Sequence, residues 1–265
     1  MKGLKVGKIN YLNLFPVFKY LEEDHDAPAF EVIEGVPSIL NKLLREGMLD
    51  ISPSSSIEYL RNRDMYDIIE GHSISSFGTI QSILLFSDRP IEKLNRQTIL
   101  TSSQSETSVV LLDIILRKFY GQDVALTPSD IVASDALKSN HACLLIGDDA
   151  LIWRKRLVNP SPLYVYDLGE IWFKNTGLPF VFALWIVRKD SLREKGQQIQ
   201  AFKSSLDRAK AKALNNFEQL ASESYLQGIL SKEEIVSYWK QISFDLGSEH
   251  IKGLELFASL AGLGP

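Results

Sequence analysis

The chain has 265 residues, of which 45% are hydrophobic and 23% are charged, and its formal net charge is −4. This composition is typical of a globular protein with a sizeable core. The weak negative charge disfavours nucleic acid and anionic membranes as partners. A single cysteine excludes a disulfide framework within the chain.

The first part of the chain alternates short strands, polar turns and helices. Strands are predicted at residues 4–9, 30–34 and 49–52. Pro16 favours a turn or a first helical turn, and helices are predicted to open at Pro37 and Ile57. This rhythm favours a mainly parallel sheet covered by helices.

A longer strand is predicted over residues 79–87, and the same rhythm restarts at Arg96. Further strands are predicted at residues 98–101, 130–134 and 142–146, with helices at residues 109–119 and 136–140. A second long apolar strand is predicted at residues 180–187. The rest of the chain is predicted to be helical, with a Ser-x-x-Glu capping box at Ser231 and a last helix over residues 250–260.

The two long strands bracket a self-contained α/β segment. We therefore predict two lobes joined by two antiparallel hinge strands. Lobe 1 contains residues 1–87 and 181–265, including the C-terminal helices, and lobe 2 contains residues 88–180. A ligand cleft between the lobes is typical of this plan.

Four turns are rich in small hydroxyl or amide residues, and they follow strands where helices begin. They are residues 11–13, 54–56, 103–108 and 175–179. Such residues serve either as helix caps or as parts of an anion site at helix N-termini. The best single anion-binding candidate is the turn with Ser105, Thr107 and Ser108. No Gly-rich phosphate loop occurs in the sequence, which disfavours nucleotide cofactors.

Other polar residues leave alternatives open. Ser82 and its neighbour Gln81 face either a ligand or a neighbouring hydrogen-bond partner. Asp148-Asp149 is either a like-charge pair or, as we favour, a cap for the next turn. His72 is predicted to lie in a solvated loop, and Cys143 to be a buried, inert thiol.

The four histidines never fall at metal-ligand spacing, so no metal site is expected. The N-terminal residues contain no apolar signal core, and no run of 18 apolar residues occurs. These patterns predict a cytoplasmic protein without a membrane span.

A resemblance to a known family rests on five segments, taken together in their order and spacing. They are residues 6–17, 36–61, 102–116, 144–151 and 166–187. Across essentially its full length the chain resembles the chorismate dehydratases of the futalosine route to menaquinone. The resemblance implies an α/β fold of the type II periplasmic-binding-protein kind. It also implies a cofactor-free lyase (a hydro-lyase) that removes water from chorismate to give 3-(1-carboxyvinyloxy)benzoate. The expected partner is this small dicarboxylate, and the expected state is a monomer or homodimer.

The resemblance also implies roles for individual residues. Asn13 and Ser82 match the family's pocket positions and would be catalytic, orienting the substrate and bonding its leaving or carboxylate oxygens. Ser105, Thr107 and Ser108 would hold a carboxylate. The other substrate-binding positions are Tyr11, Ser54, Ser55, Ser56, Asp149, Thr176 and Gly177. The base is either a carboxylate of the substrate itself or one of Asp148 and Asp149.

Two other functions compete with this one. The 1,4-dihydroxy-6-naphthoate synthases share the implied fold, but in them a histidine follows the strand that matches residues 144–146, where this chain has Gly147. A non-catalytic solute-binding protein for a small anion is the alternative from another class. One departure from the dehydratase pattern is Glu106, which puts a negative charge near the expected anion site.

Overall fold

The structure is a computed structural model. It describes residues 3–129, 137, 140–157 and 163–264. The chain divides into two compact units. The first unit contains residues 1–74 and 182–246, and the second contains residues 75–181 and 247–265.

The strands, in chain order, are β1 (Leu4–Lys8), β2 (Phe30–Glu34), β3 (Ile51–Ser55), β4 (Tyr66–Ser76), β5 (Ile83–Ser87), β6 (Thr98–Thr101), β7 (Ala125–Pro128), β8 (Ala142–Ile146), β9 (Tyr164–Asp167) and β10 (Phe180–Arg188). The helices are α1 (Phe15–Glu22), α2 (Pro37–Arg45), α3 (Ser56–Arg61), α4 (Glu106–Ile114), α5 (Gly147–Arg156), α6 (Leu168–Thr176), α7 (Lys189–Leu214), α8 (Phe217–Ala221), α9 (Lys232–Gln241) and α10 (Ser248–Leu260). A π-helical turn, Ile115–Phe119, continues α4.

The sheet of the first unit has the strand order β2-β1-β3-β10-β4. Strands β1, β2 and β3 are parallel, and β10 runs antiparallel to β3 with Ala183 opposite Ser55. Phe202 of α7 is fully buried, and its ring lies 5.5 Å from Phe30 and 6.1 Å from Trp185. Aromatic packing of this kind fixes the long helix against the sheet.

The sheet of the second unit has the strand order β7-β6-β8-β5-β9. Strands β6, β7 and β8 are parallel, whereas β5 runs antiparallel to both β8 and β9. Its core includes Leu84, Phe86 and Cys143. The prediction of a buried Cys143 is confirmed: it is 2% exposed, and burial raises its pKa to about 12.

The structure corrects the predicted first hinge strand. The strand expected over residues 79–87 begins only at Ile83, because Gly78 (φ 111°) and Gln81 (φ 63°) adopt left-handed backbone conformations that turn the chain. Strand β5 then pairs with β8 and β9 inside the sheet of the second unit. The boundary between units falls within β4 instead, after Ile74, and at the start of β10, after Val181.

Strand β4 escaped prediction because Gly71 (φ 82°) interrupts the apolar alternation within it. The prediction of a solvated His72 is therefore wrong. His72 lies in β4, is 2% exposed, and its Nε2 atom lies 2.7 Å from Oδ1 of Asp207. Burial lowers the pKa of His72, although the bond to Asp207 opposes this shift.

The last helix also differs from the prediction. Helix α10 lies in the second unit, whereas lobe 1 was expected to contain all the C-terminal helices. Its Phe257 ring lies 4.9 Å from Phe180 and 6.3 Å from Trp172. Gly253 approaches the Pro179 carbonyl so closely that no Cβ would fit there.

Among the remaining predictions from the sequence, some are confirmed and others miss an element or lie outside the described residues. The capping box at Ser231 is confirmed, since its Oγ accepts a hydrogen bond from Glu234 N (3.3 Å) and Glu234 Oε2 accepts one from Ser231 N (2.7 Å). Strands β7 and β9 were not predicted. The strand expected at residues 130–134 and most of the helix expected at residues 136–140 lie outside the described residues. None of the described helices has the length and apolar character needed to cross a bilayer.

Candidate active site

The first unit has a polar edge where β1 and β3 end. We call it the first polar edge, and it contains the turn of residues 10–13 and the residues 54–56. The carboxyl ends of parallel strands meet at one edge of a sheet, so these segments lie side by side. This edge therefore collects several predicted residues in one place: Tyr11, Asn13, Ser54, Ser55 and Ser56.

Asn13 is half-buried in the turn that leads from β1 to α1. Its Oδ1 atom is shielded from solvent and has no hydrogen-bond partner among the described residues. Helix α1 has no side-chain cap. Asn13 thus does not cap α1, whose N-cap residue is Leu14, and its side-chain oxygen is left without a partner among the described residues.

Two aromatic side chains from other parts of the first unit hold this turn. Trp239 is fully buried, and its Nε1 donates a 2.7 Å hydrogen bond to the Leu12 carbonyl. The Tyr225 hydroxyl donates to the Asn10 carbonyl at 3.3 Å. Phe15 stacks on Trp239 and meets Tyr225 edge-on, with 6.0 Å between ring centroids in each pair. The backbone position of Asn13 is therefore fixed by packing.

The serines at the end of β3 do not act as one group. Successive strand residues point to opposite faces of a sheet, so the side chains of Ser54 and Ser55 diverge. The Ser55 hydroxyl accepts a 3.0 Å hydrogen bond from Asn41 of α2. Ser54 is fully buried, and its Oγ is unpaired among the residues that the structure describes. Ser56 begins the six-residue helix α3.

The second unit has a polar edge formed by several chain segments. We call it the second polar edge: it comprises the ends of β6, β8 and β9, the start of β5, and the helices α4 and α5 that follow β6 and β8. The register places Thr101 opposite Leu144, Ile83 opposite Ile146, and Leu84 opposite Asp167. The strand directions thus bring Ser82, Ser105 and Asp149 to the same edge.

Ser105 is the N-cap of α4. Its Oγ accepts from Ser108 N at 3.5 Å and lies 3.1 Å from the Ser108 hydroxyl. Thr107 and Ser108 are buried, whereas Glu106 is exposed. The buried hydroxyl of Thr101, which the prediction missed, has no partner among the described residues. The capping interpretation is correct for Ser105, and the charge of Glu106 lies on the solvent side of the helix.

Ser82 is 2% exposed and precedes β5. Its carbonyl accepts a 2.7 Å hydrogen bond from Gly147 N, which joins it to the first residue of α5. Asp148 and Asp149 lie in the first turn of α5, where carboxylates interact favourably with the helix dipole. Two carboxylates there repel an anion, so α4 offers the better anion-binding helix end at this edge.

Thr176 and Gly177 lie elsewhere in the second unit. They end α6, whose nine residues span about 13 Å from its start beside Asp167. The Thr176 hydroxyl donates to the Trp172 carbonyl at 2.9 Å, and Gly177 is a left-handed C-cap. The structure does not bring these two residues to the second polar edge.

Three supporting residues were not predicted: Thr101, Asp167 and Trp239. Thr101 is a hydroxyl residue at a strand end, and Asp167 opens an Asp-x-x-Glu pattern before α6, so each carries a local signal. Trp239 carries none, because its contact with the residue 10–13 turn depends on the tertiary fold. Among the described residues, no group of three or more His, Cys, Asp or Glu side chains is placed to hold a metal.

The sequence model of the family described as menaquinone biosynthesis matches residues 4–262. The chain belongs to this family. A relative from Thermus thermophilus, chorismate dehydratase, is 27% identical to it, and the alignment covers 99% of this chain and 97% of the relative.

Solved structures show what the fold of this family member is similar to. Protein AF1704 from Archaeoglobus fulgidus superimposes with a TM-score of 0.76 at 17% identity, covering 98% of both chains. The periplasmic aliphatic sulphonate binding protein SsuA from Escherichia coli gives a TM-score of 0.69 at 13% identity, covering 98% of this chain and 91% of SsuA. The α/β fold is of the periplasmic-binding-protein kind, as predicted.

Proposed function

We propose that this protein is a chorismate dehydratase, a hydro-lyase of menaquinone biosynthesis. The observation that carries the proposal is the match to the Thermus thermophilus chorismate dehydratase over 99% of this chain and 97% of that protein. The C3 proton and the C4 hydroxyl of chorismate leave together as water. The product is 3-(1-carboxyvinyloxy)benzoate.

The chemistry of this reaction suits the residues present. Loss of water makes the ring aromatic, so a large driving force resides in the substrate itself. The protein then has to orient the ring, exclude bulk water and polarise the leaving hydroxyl. These tasks need hydrogen-bonding side chains in fixed positions, and we propose that they proceed without a metal or organic cofactor.

Asn13 and Ser82 are the proposed catalytic residues. The unpaired Oδ1 and the amide group of Asn13 can accept from and donate to substrate oxygens. Ser82 is buried at the second polar edge, where its hydroxyl would bond the leaving or carboxylate oxygen. An oriented hydrogen bond that forms in the transition state lowers the barrier more than one formed only in the ground state.

A carboxylate of chorismate would bind at the start of α4. Ser105, Thr107 and Ser108 place hydroxyls there, and the positive end of the helix dipole favours an anion. Tyr11 and Ser54 to Ser56 are proposed to contact the substrate from the first polar edge. Thr176 and Gly177 are also proposed to contact the substrate. Their position at the far end of α6, away from the second polar edge, does not support this contact.

The base that removes the C3 proton is proposed to be a carboxylate of the substrate, with Asp148 or Asp149 as the side-chain alternative. Gly147 stands where the 1,4-dihydroxy-6-naphthoate synthases have a histidine, which favours the dehydratase over that activity. The futalosine route, the cytoplasmic location and a monomeric or dimeric state stay predictions.

The deciding experiment is mass spectrometry of chorismate incubated with the purified protein, with a protein-free control. We expect an aromatic product one water lighter than chorismate, formed in proportion to enzyme and time. Activity should survive treatment with a chelator. Chorismate that binds but stays unchanged would overturn the proposal in favour of a non-catalytic binding protein.

A further inference from the structure

The segment before Ser82 is held in an unusual way. Gln81, a residue with a side chain, adopts a left-handed backbone with φ 63°, and Gly78 lies at φ 111°. A left-handed conformation costs free energy for any residue that has a Cβ atom. Such a conformation persists only where surrounding contacts enforce it.

The contacts that enforce it come from Asp167. Its Oδ2 atom accepts hydrogen bonds from Gln81 N at 2.6 Å and from Ile80 N at 3.0 Å. Its Oδ1 atom accepts from Glu170 N at 3.1 Å, which caps α6. One carboxylate, 87 residues from Ile80 in sequence, therefore joins the turn before Ser82 to the start of a helix.

Asp167 is 6% exposed. Burial raises its pKa, while hydrogen bonds from the backbone N–H groups of Gln81, Ile80 and Glu170 act in the opposite direction. Both oxygens already accept from the backbone, so the carboxylate has little capacity left to take a proton from a substrate. A general-base role is thus disfavoured.

We propose that Asp167 is a positioning residue that acts through Ser82. It holds the turn of residues 80–81, and this turn fixes both the Ser82 side chain and the Ser82 carbonyl that bonds Gly147 N at 2.7 Å. An N-cap alone would require only the bond to Glu170. The inference rests on the proposed function for its effect on turnover, but its effect on the turn can be measured independently.

Two substitutions separate the two tasks of Asp167. Asp167→Ser retains a good helix cap for Glu170 N, but its side chain is too short to reach residues 80 and 81. Asp167→Asn retains the shape and replaces one acceptor oxygen by a donor group that faces N–H donors. We expect both to lower kcat, Asp167→Ser by about tenfold or more with a smaller change in KM, because a displaced catalytic group costs turnover.

A double-mutant cycle with Ser82→Ala tests the route of the effect. If Asp167 acts through Ser82, Asp167→Ser should cost less than about twofold once Ser82 is already alanine. Gln81→Gly should restore part of kcat in the Asp167→Ser protein, because glycine adopts the left-handed backbone without strain. Ser231→Ala, which removes the cap of α9, is the control for losing a helix cap as such.

Fully additive losses in the cycle would overturn the proposal. Amide hydrogen exchange provides a readout that needs no turnover, and it remains informative if a substituted protein loses activity. The amides of Ile80 and Gln81 should exchange faster in Asp167→Ser than in the parent protein. Unchanged exchange would refute the positioning role even if chorismate is the substrate. If the parent protein is inactive on chorismate and exchange is still faster in Asp167→Ser, only the proposed function is refuted.

Discussion

A turn is held in place at each of the two polar edges, but the groups that hold it and the pairing of its polar atoms differ. At the first edge, the buried indole of Trp239 holds the turn that carries Asn13, and the side-chain oxygens of Asn13 and Ser54 stay unpaired among the described residues. At the second edge, the Ser105 and Ser108 hydroxyls already pair with each other, although the buried hydroxyl of Thr101 is unpaired among the described residues.

This difference predicts unequal effects on catalysis. An unpaired, shielded polar atom costs stability until a ligand pairs with it, so its bond to a ligand is strong and directional. A hydroxyl that already has a partner gains less from a ligand, because it exchanges one hydrogen bond for another. We therefore expect substitutions at the first edge to alter turnover and those around Ser105 to alter mainly substrate affinity.

The largest effect is expected for Asn13→Ala. It should lower kcat by about tenfold or more while the fold survives, because it removes an oriented hydrogen bond from a prepared site. Steady-state kinetics with chorismate measures this loss. Asn215→Ala, at an exposed amide that donates to the Ala211 carbonyl of α7, is the matched control and should retain parental rates. Parental turnover in Asn13→Ala would remove Asn13 from the mechanism.

A smaller effect is expected for Ser108→Ala at the second edge. The substitution removes one hydroxyl near the start of α4, and we expect KM to rise about fivefold with little change in kcat, as for loss of a neutral hydrogen bond. The measurement is the same kinetic assay. A fall in kcat comparable with that of Asn13→Ala would end the distinction between the two edges.

Trp239→Phe tests how the first edge is held. The phenyl ring preserves most of the packing against Phe15, but the Leu12 carbonyl loses its buried donor. We expect the free energy of unfolding to fall by about 1–3 kcal/mol. The fall in kcat should be smaller than that of Asn13→Ala. Denaturant unfolding monitored by circular dichroism measures the first quantity, and unchanged stability would show that the Leu12 contact is not needed.

The smallest expected effect is on the pH dependence of stability, and it concerns two buried carboxylates, one in each unit. In the first unit, burial alone would raise the pKa of Asp50, but hydrogen bonds from Lys195, Ser191 and Lys5 N outweigh it and lower the pKa. Its stabilising contribution is therefore present above the unfolded-state pKa of about 4 and is lost as pH falls through the lower folded-state value. Asp167, whose pKa is raised, has the opposite sign: its contribution is lost as pH rises through the folded-state value.

The comparison of Asp50→Asn with the parent protein measures this contribution. The difference in unfolding free energy should shrink as the pH falls from about 5 to about 2. A difference that stays constant over this range would contradict the lowered pKa of Asp50.

The sequence predicts local elements better than their assignment to units. Residues 142–146 form a strand as expected, whereas the strand expected at residues 49–52 runs from Ile51 to Ser55 and includes two serines that were predicted to lie in a turn. The positions of Ile83–Ser87 and α10 depend on backbone conformation at Gly78 and Gln81 and on the close approach of Gly253 to Pro179, which no periodicity reveals. For the site, hydroxyl-rich turns mark the two edges. The side chains that hold them, Asp167 and Trp239, act across long sequence separations.

Because α10 belongs to the second unit, this unit cannot finish folding until the C-terminal end of the chain has been synthesised. Phe257 packs on Phe180 and Trp172. The rest of this unit outside the C-terminal segment is residues 75–181. The ribosome must therefore make the whole of residues 182–246 before the aromatic cluster can close. Until then the nascent second unit exposes apolar surface, which is the state that chaperones bind. A segment comprising residues 75–181 alone would remain in that condition permanently.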